Sequence, residues 1–91
     1  MIVLTAEQQV IQDLRIELWA HRYLYFELST NIIPDWHYTQ MEKEELAKLE
    51  QATPWRMEES PNSRVGYSPP EYLIPTIEEL LAKWSRLGGK F

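Results

Sequence analysis

Three side chains of this sequence, Tyr25, Asp35 and Tyr38, have the types and spacing to act together on a ligand. Asp35 and Tyr38 stand three residues apart, so they share a face of the first turn if a helix opens at Pro34-Asp35. Tyr25 lies near the end of the preceding helical stretch, and an antiparallel return brings it alongside. Two phenol rings can sandwich a flat aromatic cation by stacking and cation–π attraction, roughly 0.5–2 kcal/mol per ring. The carboxylate can accept hydrogen bonds from ribose hydroxyls or a carboxamide, and the N–H groups of a helix start suit a phosphate. Plainer roles stay open for the same residues. Tyrosines at helical spacing also serve as core or interface, and an acid at position 35 favours a helix start by itself.

The elements that must position these side chains are legible from local signals. Thr5-Ala6-Glu7-Gln8 forms a capping box, and apolar residues recur at Ile11, Leu14, Leu18, Tyr25 and Leu28 with His21 in the same stripe. The pattern predicts a helix over about 6–29. Trp19, Tyr23 and Phe26 lie about 100° round from that stripe, an arc too wide for a helix covered on one side. Either a second element covers it, or part of it is a binding surface. Ser29-Thr30-Asn31 ends the helix, Ile32-Ile33-Pro34 is an extended link, and a second helix runs from Pro34-Asp35 to Thr53-Pro54. Tyr38, Met41, Leu46 and Leu49 form its core-facing stripe, and the short connection makes a helical hairpin over 5–52. Five prolines between Pro54 and Pro75 exclude regular helix from a crossover over 53–75, with Arg64-Val65-Gly66-Tyr67 a candidate extended piece. Thr76-Ile77-Glu78-Glu79 reads as a second capping box, opening a C-terminal helix over 76–88 with Gly88 as its C′ residue. The expected fold is all-α, a single domain over 1–91.

Composition narrows the function classes. The 91 residues allow only a modest core. A formal net charge of −5 argues against direct nucleic-acid binding, which needs basic groups to displace counterions from phosphate. The glutamates crowded between Glu42 and Glu59 read as a solvated helix face or as an acidic docking surface. With no cysteine there is no disulfide or thiolate metal site, and no apolar run suits a membrane span, so a cytoplasmic protein is expected. His21 and His37 lack metal-ligand spacing, and the three glycines form neither a phosphate loop nor a nucleophile elbow. No catalytic residue is assigned. Trp19, Phe26 and Trp36 are candidate interface residues, since exposed aromatics often anchor contacts, and a homodimer would suit the small size.

Leu14-Arg15, His21, Tyr23-Leu24-Tyr25, Pro34-Asp35, Tyr38, Leu46 through Leu49-Glu50, then Ser60-Pro61 with Val65-Gly66 follow one another in a distinctive order. Over about residues 10–67 that order resembles the N-terminal helical domain of bacterial NAD-dependent DNA ligases. The resemblance implies that Tyr25, Asp35 and Tyr38 contact the nicotinamide mononucleotide half of NAD. The sequence departs from the family pattern twice: Phe26 stands where a histidine is usual, and Thr39 where an aspartate is usual. Each lost polar contact is worth about 1–3 kcal/mol.

The ligase family attacks AMP with a lysine in a Lys-x-Asp-Gly motif, and these 91 residues contain none, their only aspartates being Asp13 and Asp35. The expectation is a stand-alone module, phage- or plasmid-borne, that is not a ligase by itself. It would bind NAD or nicotinamide mononucleotide, alone or in trans with a separate nucleotidyltransferase or ligase. The alternative is an interaction or regulatory protein that keeps the fold without the ligand.

Overall fold

The computed structural model describes residues 3–87, so Gly88 and the last residues of the chain lie outside the described part. Helix α1 spans Ala6–Leu28 and opens on the expected reciprocal cap. The Gln8 amide N–H donates to Thr5 Oγ1 at 3.2 Å, and the Thr5 N–H donates to Gln8 Oε1 at 3.0 Å. Its other end closes where Ser29 turns left-handed, with φ 51°, and the N–H of Thr30 returns to the Leu24 carbonyl at 2.9 Å.

Helix α2 covers residues 35–52 and changes pitch along its length. It is α-helical over Asp35–Thr39, π-helical over Gln40–Leu46 and α-helical again over Ala47–Ala52. The sequence reading has no π segment. Bonds from i to i+5 bring residues five apart onto one face, and Met41 and Leu46 are accordingly both buried. Arg22 of α1 meets Tyr38 and Glu42, while Arg15 meets Glu50. Partner numbers fall as those of α1 rise, so the two helices run in opposite directions.

The crossover is built of three short 3-10 turns, Met57–Glu59, Pro61–Ser63 and Glu71–Leu73. The extended piece expected at 64–67 pairs with nothing, and no strand forms among the described residues. The last helix, α3, spans Ile74–Arg86. It begins two residues before the expected Thr76, because Pro75 is tolerated in the first turn and the Glu71–Leu73 turn runs straight into it. Thr76 therefore lies inside the helix and caps nothing.

Helix α1 is the centre of the all-α fold, covered on two sides. On one, Ile11 and Leu18 pack with Met41 and Leu46 of α2. On the other, Ile16, Trp19, Ala20 and Leu24 pack with Leu73, Ile77 and Leu81. The second covering element is α3, and it accounts for most of the wide aromatic arc. Trp19 is thus no interface residue: it is 0% exposed, and its indole N–H donates to the Glu59 carbonyl at 3.3 Å.

The glutamate run is likewise not a uniform solvated face. Glu50 is 2% exposed and sits against the equally buried Arg15, whose Nε donates to Glu50 Oε2 at 2.8 Å and whose Nη2 reaches the Trp55 carbonyl at 2.8 Å. Glu42, also buried, pairs with Arg22. Two of the acids are internal ties between helices. No helix among the described residues is long and apolar enough to cross a membrane.

Candidate functional site

The turn between α1 and α2, together with residues 61–66, frames a cleft of about 620 Å³. Tyr25, Asp35 and Tyr38 all line it, as do the two departures from the family pattern, Phe26 and Thr39. Each wall has a local cause. The left-handed residue at 29 stops α1 just past Tyr25, and Pro34 with its extended backbone (φ −63°, ψ 150°) starts α2 at Asp35. Beyond the end of α2 at Ala52, the loop is brought back by Ser60, whose Oγ accepts the Asn62 N–H at 3.1 Å, and by Asn62, whose Nδ2 donates to the Glu42 carbonyl at 2.9 Å. The loop is thereby sewn onto the π stretch of α2.

The three predicted residues differ in how free they are. Tyr25 is 54% exposed, and its ring meets Phe26 edge to face at 4.9 Å. Asp35 is exposed and makes no capping bond; its carboxylate accepts only a long bond from Asn31, 3.4 Å. Position 35 is therefore not spent on closing the helix end. Tyr38 is half-buried, with His21 edge-on at 6.4 Å. The rings of Tyr25 and Tyr38 thus lie on one cleft with different ring neighbours.

The Tyr38 hydroxyl is committed inward. It donates to Glu42 Oε2 at 2.5 Å and accepts from Arg22 Nε at 2.7 Å, while Arg22 Nη2 also reaches Glu42 Oε2 at 2.7 Å. Burial and the bond to the Glu42 carboxylate push the Tyr38 phenol well above its ordinary range. Burial works against the charge of Glu42, but the Tyr38 and Arg22 bonds outweigh it and hold its carboxyl below the usual value. Burial likewise opposes the charge of Arg22, and the same two partners more than offset it. The network stays as a neutral phenol within an ion pair.

His21 lines the cleft and meets Trp84 of α3, the ring centroids 4.6 Å apart and the planes tilted by 30°. Burial, with the nearby His37 adding to it, pushes its pKa down to about 4. Near neutral pH it presents an uncharged ring.

Sequence reasoning missed Arg22, Glu42, Asn62 and Arg64. Arg22 and Glu42 are twenty positions apart, and no periodicity links them. The one signal was the unusual step from Met41 to Leu46, five residues, which places Glu42 inside rather than out. Among the remaining candidates, Trp36 is 68% exposed and does not line the cleft, while Phe26 is 52% exposed and does. Among the described residues no group of acids and histidines is arranged to hold a metal ion.

An all-α domain with an aromatic, partly charged cleft at a helical turn is the class these features define. The family model described as the DNA ligase-like, N-terminal NAD+-binding domain matches residues 4–66, well over half of the chain, and the chain belongs to that family. No curated protein and no solved structure matches it. The matched segment holds α1, α2 and the whole cleft lining, and it ends at Gly66, before α3.

Proposed function

We propose that the cleft binds the nicotinamide mononucleotide half of NAD. The observation that carries this reading is that Tyr25 from α1 and Asp35 and Tyr38 from α2 line one cleft of a size suited to a small-molecule ligand. The chemistry of the donor set fits. The exposed face of Tyr25 and the ring of Tyr38 offer π surfaces to a cationic aromatic ring, and the uncapped Asp35 offers acceptors to ribose hydroxyls or the carboxamide. Phe26 replaces a polar contact with an apolar edge, so binding is carried by stacking.

Isothermal titration with nicotinamide mononucleotide and with NAD tests the proposal. Tyr25→Ala is expected to weaken binding by about tenfold, the loss of roughly one stacking contact, with the melting temperature unchanged because the ring is largely in solvent. No heat at millimolar ligand would overturn it.

A second reading rests on the exposed rim. Phe26, Ile32 and Trp36 are each more than 40% exposed, and Phe26 and Ile32 line the cleft. In that reading the rim docks a protein, either a nucleotidyltransferase acting in trans on the bound nucleotide or a ligase that the domain regulates. Trp36→Ala separates the two readings, since it should abolish capture of purified ligase without changing nucleotide heats.

A further inference from the structure

We infer that Arg22 is the positioning residue of this cleft: it ties the helical wall to the loop wall and turns the Tyr38 hydroxyl away from the ligand. This rests on the reading of the cleft as a nucleotide site only for its effect on affinity. Arg22 lines the cleft where its two walls meet. It projects from α1, is 11% exposed, and its three nitrogens are all engaged. Nε donates to the Tyr38 hydroxyl and Nη2 to Glu42, both on α2. On the loop side Nη2 donates to the Pro61 carbonyl at 2.7 Å, and Nη1 to the carbonyls of Arg64 at 2.6 Å and Gly66 at 3.3 Å.

A planar guanidinium with fixed donor directions can hold both walls at once, and an ammonium cannot. On either side the loop is held by Asn62, whose Nδ2 donates to the Glu42 carbonyl, and by Tyr67, whose ring meets Trp19 and Tyr23 edge to face. Between those anchors Gly66 is left-handed at φ 64° and Val65 is 91% exposed, and the carbonyls of Arg64 and Gly66 are fastened to α1 by Arg22. Arg22 is thus the side chain that joins Tyr38 and Glu42 on one wall to the carbonyls of Pro61, Arg64 and Gly66 on the other. Because the phenol proton is given to Glu42 and its oxygen accepts from Arg22, Tyr38 offers a ring face rather than a hydroxyl.

The test uses Arg22→Lys, which keeps the charge opposite Glu42, checked for helix content by circular dichroism. Trypsin cleavage after Arg64, followed by mass spectrometry against cleavage after Lys83, reads loop tethering without any ligand. Arg22→Lys is expected to speed cleavage after Arg64 about tenfold and to weaken nicotinamide mononucleotide binding about tenfold. Unchanged cleavage in Arg22→Lys would overturn the tether. Unchanged affinity in that variant would overturn the positioning role. If the parent protein binds neither nicotinamide mononucleotide nor NAD while cleavage still rises, the nucleotide reading falls and the tether stands.

Discussion

At the scale of single residues, the cleft depends on groups whose protonation the fold controls. His21 faces Glu17, whose Oε1 is 4.0 Å from Nε2, together with Tyr38 and the charge of His37 from α2 and Trp84 from α3. Glu17 would favour a charged imidazole, yet burial outweighs it and the folded pKa falls to about 4. The unfolded chain therefore takes up the proton first. The stability that a neutral His21 contributes is complete above about pH 6.5 and is lost as pH drops towards 4, by about 2 kcal/mol at most near pH 5. Urea titrations at pH 7 and pH 5 should show this loss, and His21→Gln should flatten it. Below that range the depressed carboxyl of Glu42 adds its own loss, as the Arg22 pair is protonated away.

At the scale of elements, two threonines that look alike in sequence have different jobs. Thr5 closes a reciprocal cap, while Thr76 sits in the first turn of α3 behind Leu73 and Pro75. Thr5→Ala should therefore cost about 1 kcal/mol, a melting shift of several degrees in a domain this small. Thr76→Ala should change stability by less than about 0.5 kcal/mol. Thermal denaturation of the two variants side by side decides this. The start of α1 was legible because its cap is made within four residues. The start of α3 was not, because a proline in the first turn and an upstream 3-10 turn moved it. The π stretch of α2 is a third case, in which burial of both Met41 and Leu46 overrides the ordinary helical period.

At the scale of the whole molecule, the family segment at 4–66 does not carry its own second core. Ile16, Trp19 and Leu24 are covered by Leu73, Ile77 and Leu81, which lie beyond it. Ile77, 0% exposed, lies at the centre of that contact. Ile77→Ala should cost about 2–5 kcal/mol, a large part of what so small a domain has. Urea unfolding followed by tryptophan fluorescence reads this directly, since Trp19 is part of the same cluster. Val65→Ala, on the exposed loop, should leave the midpoint unchanged.

The sequence by itself determined the helices, their approximate ends and the membership of Tyr25, Asp35 and Tyr38 in one neighbourhood. Caps, proline positions and apolar spacing act over a few residues and can be read from a few residues. Only the tertiary structure decided that Trp19 is core, that Glu42 and Glu50 are internal, and that Arg22 joins the two walls of the cleft. Those outcomes depend on which side chains meet across 20 to 44 positions. A buried charge is tolerated only where such a partner arrives, and no local pattern announces its arrival.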